Sequence, residues 1–165
     1  SEFAFEGAMI ANNIIDGAAT GISVSNFREG GRLAVVSGNM IRNLTGKGPY
    51  PADAPGFGTG IAIEADAAVT GNVIDGAPLF GMLIGWGPYL RDVTATSNLI
   101  RNAPLGIAVS VVDGAGSAVI SDNMIAGAEK GAVVGMRWGE TATGDLALSG
   151  AGRYPQLLVE RNRVS

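Results

Sequence analysis

Apolar residues in this chain come in short runs, cut apart by glycine, asparagine and aspartate, and three kinds of run alternate in a fixed order. The first kind leads into an asparagine: Ala8 to Ile10, Leu33 to Val36, Ala67 to Val69, Val93 to Ala95, Ala118 to Ile120 and Leu157 to Val159. The second reads Asn-x-Ile, as in Asn13-Ile14-Ile15, Asn39-Met40-Ile41, Asn72-Val73-Ile74, Asn98-Leu99-Ile100 and Asn123-Met124-Ile125, with Asn162-Arg163-Val164 as a last partial copy. The third starts at a glycine: Gly21-Ile22-Ser23-Val24, Gly60-Ile61-Ala62-Ile63, Gly81-Met82-Leu83-Ile84, Gly106-Ile107-Ala108-Val109 and Gly131-Ala132-Val133-Val134. Runs this short are strands, because helices need longer periodic segments. The asparagines are spaced 26, 33, 26, 25 and 39 residues apart, so the unit is about 25 residues with two enlarged copies. Three short strands per repeat, with glycine and asparagine at the corners, predict an all-β fold: a single-stranded parallel β-helix of five to six coils.

Stacked coils place equivalent residues about 4.8 Å apart, and alternation along each strand assigns faces. One inward ladder is expected from Ile15, Ile41, Ile74, Ile100, Ile125 and Val164. A second comes from Ile10, Val36, Val69, Ala95, Ile120 and Val159. A third joins Ile22, Ile61, Met82 and Ile107, continued by Val24, Ile63, Ile84, Val109 and Val134. The asparagines should stack at one corner, their amides bonding one another. Three residues after each asparagine comes Asp16, Arg42, Asp75, Arg101 or Ala126, an alternating-sign column that sets register at the surface. One residue after it comes Ile14, Met40, Val73, Leu99 or Met124, an outward aliphatic stripe open to a partner or to self-association.

Composition narrows the function classes. The chain has 165 residues, one domain's worth (1–165), with 26 glycines and 47% apolar residues. Its net charge of −4 argues against a nucleic-acid partner. No apolar run reaches membrane-spanning length, so no membrane insertion is expected. With no cysteine and no histidine, disulfides, thiolate or histidine metal sites and Ser-His-Asp catalysis are excluded. The chain begins in a first strand and ends in mid-coil, which predicts a fragment of a longer chain or end-to-end association through open coil ends.

The two insertions, 44–59 and 135–155, and the turns after the glycine strands hold the candidate chemistry. Coil one turns through Asn26-Phe27-Arg28-Glu29 and coil three through Gly85-Trp86-Gly87-Pro88-Tyr89-Leu90-Arg91-Asp92. Coil five runs from Met136-Arg137-Trp138 to Arg153-Tyr154. Coils two and four turn through small residues, so Phe27, Trp86 and Trp138 are expected two coils apart, about 10 Å, along one edge. Aromatic faces stack on sugars and arginines grip carboxylates bidentately. Phe27, Arg28, Trp86, Tyr89, Arg91, Trp138 and Tyr154 are therefore the candidate binding residues for a polysaccharide, uronate-containing polymers included. Catalytic candidates are looser: Arg137, Glu140, Asp145 and Arg153, with Arg137 or Arg153 as a base beside Glu140. Glu64 and Asp66 share a turn, but no calcium-binding repeat surrounds them, and no metal is expected.

The repeats Gly38-Asn39-Met40-Ile41-Arg42-Asn43 and Gly71-Asn72-Val73-Ile74-Asp75-Gly76, each followed by Gly-Ile/Met-x-Ile, resemble the right-handed parallel β-helix repeat of the pectate lyase-like superfamily. Within it they look most like uncharacterised repeat proteins of alphaproteobacteria exported by twin-arginine translocation. The resemblance implies a right-handed helix and a periplasmic or secreted location. That superfamily holds polysaccharide lyases, hydrolases and epimerases as well as non-catalytic binders, so the fold alone does not select one. No residues match a cofactor motif, and no cofactor is expected. Three readings follow: a carbohydrate-binding domain, a polysaccharide-active enzyme, and a protein-interaction solenoid.

Overall fold

The computed structural model describes residues 7–28, 32–48 and 57–165. Half of the proline-glycine insertion, Pro49-Tyr50-Pro51 and Pro55-Gly56 included, lies outside the described residues, as does Glu29.

Each coil contributes three strands. Coil one has β1 (Gly7–Ala11), β2 (Ile14–Asp16) and β3 (Thr20–Val24), and coil two has β4 (Leu33–Ser37), β5 (Met40–Arg42) and β6 (Thr59–Ile63). Coil three has β7 (Ala65–Thr70), β8 (Val73–Asp75) and β9 (Phe80–Ile84); coil four has β10 (Arg91–Thr96), β11 (Leu99–Arg101) and β12 (Leu105–Ser110). Coil five has β13 (Ala118–Ser121), β14 (Met124–Ala126) and β15 (Gly131–Arg137). The second insertion folds as β16 (Glu140–Asp145) and a one-turn helix, α1 (Leu146–Ser149), before β17 (Leu157–Glu160) and β18 (Arg163–Val164) of the last coil. The strands line up in three six-stranded sheets, β1-β4-β7-β10-β13-β17, β2-β5-β8-β11-β14-β18 and β3-β6-β9-β12-β15-β16. Among the described residues every pairing is parallel except β15–β16. The chain is all-β, and its repeated parallel-sheet architecture fits a parallel β-helix.

The core is built from the ladders. Ile41, Ile74, Ile100 and Ile125 are fully buried in register, as are Val36, Val69, Ala95 and Ile120. In the third sheet Ile22, Ile61, Met82 and Ile107 stack as expected. The expectation for Val134 is corrected. Val133 pairs with Ile107 and enters the core, while Val134 pairs with Ala108 and joins Leu105 and Met136 in a separate small cluster. The cause is a turn one residue longer than in coil four. Gly131, the first residue of β15 opposite Leu105, closes that turn at φ +136° with its N–H on the Ala128 carbonyl (3.1 Å), so Ala132 takes the column position that glycine holds elsewhere.

That column explains the glycines. A Cβ on Gly21, Gly60, Gly81 or Gly106 would lie 2.3, 2.5, 2.5 or 2.6 Å from the backbone oxygen of Gly60, Gly81, Gly106 or Ala132 in the next coil. It would also strike the Cγ2 of the Asn-x-Ile isoleucine beside it. Ala132 ends the column where the next strand, β16, runs antiparallel.

The asparagine corner is a continuous ladder. The N–H and Nδ2 of Asn13 both donate to Asn39 Oδ1 (3.0 and 2.9 Å), and the pattern repeats through Asn72, Asn98, Asn123 and Asn162. The second Nδ2 hydrogen reaches back to the coil before: Asn39 to Ile10 O, Asn72 to Val36 O, Asn98 to Val69 O, Asn123 to Ala95 O and Asn162 to Ile120 O. Asn39, Asn72, Asn98 and Asn123 are buried with their amides satisfied.

The outer face of the second sheet carries the two predicted columns side by side. Arg42 pairs with Asp16 (2.8 Å) and Arg101 with Asp75 (2.6 Å). The amides of Asn43 and Asn102 hold the other carboxylate oxygens of the same aspartates (3.0 and 2.7 Å). These bonds, the asparagine amide first, lower both carboxyl pKa values. The aliphatic stripe points outward, with Ile14 72%, Met40 40% and Met124 49% exposed.

Candidate ligand-binding corner

The connections from the third sheet to the first form one corner of the coil stack. Their lengths differ. Between β6 and β7 there is a single residue, Glu64, whereas coil three needs Gly85 to Leu90, including a 3₁₀ turn at Gly87–Tyr89. The short coil-two connection leaves room for the longer turns on either side to touch.

They touch through aromatic rings. Phe27 of coil one packs edge-to-face on Tyr89 of coil three, centroids 4.8 Å apart at 72°. Trp86 of coil three packs edge-to-face on Trp138 of the β15–β16 hairpin, 5.7 Å apart at 75°. The separation between Trp86 and Trp138 is thus about half that expected from coil spacing alone, because the side chains lean toward each other across coil four. All four rings stay open to solvent: Phe27 is 49%, Trp86 37%, Tyr89 38% and Trp138 48% exposed. The result is two paired aromatic platforms on one corner.

The backbone beneath them is tightly held. Gly87 has φ +56°, and a Cβ there would lie 2.3 Å from the Trp138 six-membered ring. The buried Ser110 hydroxyl donates to Gly87 O (2.6 Å) and pins the turn to β12. Gly85, at φ +76°, brings Leu90 in to fill the space a Cβ would occupy. Trp138 itself adopts φ +55°, a region that bulky residues rarely enter. Such strain persists only where surrounding contacts enforce it.

The arginines of the corner are engaged within the protein. Arg91 grips Asp66 through both Nε (3.3 Å) and Nη2 (2.6 Å), and Nη2 also donates to the Arg28 carbonyl (2.6 Å). Asn26 Nδ2 donates to Asp66 Oδ2 (2.9 Å) and to Arg32 O (3.2 Å). This network ties the coil-one turn down over coils two and three and so positions Phe27. Arg28 contributes its carbonyl to it. Arg137 pairs with the exposed Asp113 (3.4 Å).

The remaining carboxylate, Glu64, is different. One of its oxygens accepts the Asn26 backbone N–H, and no arginine or lysine among the described residues pairs with it. Burial pushes its carboxyl pKa up, against the opposing effect of the Asn26 N–H. It lines a small groove of about 90 Å³ together with Ser23, Ala62, Leu83 and Trp86. Glu64 is the residue sequence reasoning undervalued, weighing it only as half of a carboxylate pair with Asp66.

The catalytic candidates converge only in part: Arg137 and Arg153 line one cleft, which neither Glu140 nor Asp145 lines. Asp145 caps α1 through Ala147 N–H (2.9 Å) and accepts Ala132 N–H (2.7 Å) and Val133 N–H (3.1 Å), so its oxygens hold β15 in place. Glu140 is exposed opposite Arg137 in the hairpin. Arg153 and Tyr154 line two clefts of about 490 and 380 Å³, one against β16 and α1, the other against Val111 to Ala115, where Arg137 joins them. Tyr154 packs partly on the core and forms no ring pair with the corner aromatics among the described residues. Among the described residues no cluster of three or more metal-ligating side chains occurs, and no helix is long and apolar enough to cross a membrane.

Comparison of the chain with protein-family models, with curated proteins and with solved structures finds no match.

Proposed function

We propose that this chain is a right-handed parallel β-helix domain that binds a polysaccharide at the Phe27–Tyr89 and Trp86–Trp138 corner. The handedness follows the strong rule for parallel crossovers within a sheet and the resemblance of its Gly-Asn-x-Ile repeats. One observation carries the binding reading: four half-exposed aromatic rings, drawn from three turns that are not consecutive along the stack, meet on one corner. Rings that merely closed a local core would be buried. Open ones offer flat apolar faces to the C–H faces of sugars. A periplasmic or secreted setting, by the same resemblance, is where such polymers are met.

A cleaving activity draws less support. Asp145 accepts three amide donors, and the cleft that Arg137 and Arg153 share is lined by neither Glu140 nor Asp145. A protein-docking solenoid is the second reading, favoured by the exposed stripe of Ile14, Met40 and Met124. Affinity electrophoresis through gels containing neutral, amino and acidic polysaccharides tests the first reading. Retardation by at least one polymer, lost in Trp138→Ala but kept in Met124→Ser, is expected. Retardation by none, or its loss in Met124→Ser alone, would move the function to the aliphatic stripe.

A further inference from the structure

We infer that the groove between Glu64 and Trp86 takes a cationic group, so that the preferred glycan carries amino sugars rather than uronates. This rests on the polysaccharide reading above and specifies its ligand. The argument begins from charge already used. Two of the arginines that would attract carboxylates are engaged: Arg91 by Asp66 and the Arg28 carbonyl, Arg137 by Asp113. Glu64 is the converse case, a partly buried carboxylate with one oxygen on the Asn26 N–H and no cationic partner among the described residues. It opens onto a groove of about 90 Å³, too small for a sugar ring but suited to a single head group.

The walls of that groove match a cation. Trp86 stands on one side, and an indole face attracts ammonium groups through its quadrupole, most strongly where water is thinned. Ser23 offers a hydroxyl and Ala62 and Leu83 an apolar floor. Burial already disfavours the charged form of Glu64, and a cation seated here would relieve that unfavourable state. A uronate would meet the opposite: a carboxylate brought against a carboxylate, in a protein of net charge −4. Trp86 belongs both to this groove and to the ring pair with Trp138, so one polymer would meet the groove and the rings together.

The test uses two hexamers of equal length: N-acetylglucosamine, neutral, and N-trimethylated glucosamine, whose charge is fixed at any pH. Binding to wild type, Glu64→Gln and Trp86→Ala is measured by calorimetry near neutral pH. The inference predicts that wild type binds the cationic hexamer at least about tenfold more tightly, a preference worth about 1.4 kcal/mol. Glu64→Gln should erase the preference while keeping affinity for the neutral hexamer, and Trp86→Ala should weaken both. Equal affinity for the two hexamers, or a preference unchanged in Glu64→Gln, overturns the amino-sugar inference and leaves the aromatic corner standing. Binding of neither hexamer, nor of polygalacturonate, overturns both. Thermal melts of the two variants confirm that each is folded before its affinity is read.

Discussion

Replacing Asn72 by alanine isolates the asparagine ladder as a source of stability. Asn72 Oδ1 accepts the Asn39 N–H (3.0 Å) and one Asn39 Nδ2 hydrogen (2.9 Å), both buried. With the side chain gone these two donors have no acceptor, and the Val36 carbonyl loses its Nδ2 partner (3.0 Å). Each stranded buried donor costs about 1–3 kcal/mol, so the change should cost about 2–6 kcal/mol. That is a large part of the stability of about 5–15 kcal/mol typical of a domain. The internal control is Asn13→Ala at the exposed end of the ladder. There the backbone N–H still donates to Asn39 Oδ1, and the loss is confined to Nδ2 bonds to Asn39 and Ala11 O, worth about 0.5–1.5 kcal/mol. Urea unfolding followed by circular dichroism gives both numbers, and hydrogen exchange at the Asn39 amide reports the local effect. Two equal costs, or an Asn72→Ala cost under about 1 kcal/mol, would refute the view that buried, directional amide pairing holds the coils in register.

Other substitutions test other parts. Gly81→Ala puts a Cβ 2.5 Å from both the Gly106 carbonyl oxygen and Ile100 Cγ2, so it should destabilise by about 3 kcal/mol or more, while Gly139→Ala, with nothing within 4 Å, should lie within about 0.5 kcal/mol of wild type. A double-mutant cycle on Trp86 and Trp138, each to alanine, should give a coupling of about 0.5–1.5 kcal/mol from the edge-to-face contact, and a coupling near zero would contradict that geometry. For pH, Asp75 and Glu64 act in opposite senses. The Asp75 carboxyl is held low by Asn102 and Arg101, so it stabilises above its unfolded pKa and that contribution is lost as pH falls through the folded value; Asp75→Asn should flatten the acid limb of a stability–pH curve. The Glu64 carboxyl is raised by burial, so the protein loses stability as pH rises through the folded value, and Glu64→Gln should remove that loss.

Much of this architecture was legible in the chain because the same spacing recurs in every coil. The Asn-x-Ile copies fix one corner and one ladder at once, and the alternation of Asp16, Arg42, Asp75 and Arg101 fixes which surface residues pair. The same logic was available for Arg161 and Asp122, 39 residues apart, a separation equal to the local repeat. Arg91 and Asp66 are 25 apart, one short of the 26-residue register that sets Arg91 opposite Ala65, so that pair was harder to read. Val134 was misplaced because a glycine that opens a strand and a glycine in the packing column look alike in sequence. Only the longer turn of coil five, with Lys130 N–H on Pro104 O (2.8 Å), separates them. The aromatic pairs were less legible still. Coil spacing gives distances between backbones, whereas Phe27 and Trp138 meet their partners through side-chain reach, helped for Phe27 by the single-residue connection at Glu64.

The aromatic corner is tested most directly by the protein's own fluorescence. Trp86 and Trp138 are its two tryptophans, and both lie at the corner, so emission can be followed while oligosaccharides are added. A saturable shift in emission, absent in Trp138→Ala and in Trp86→Ala although each remaining indole still fluoresces, is the predicted result. Emission unmoved across neutral, amino and acidic sugars would contradict the assignment of this corner as a glycan-binding surface.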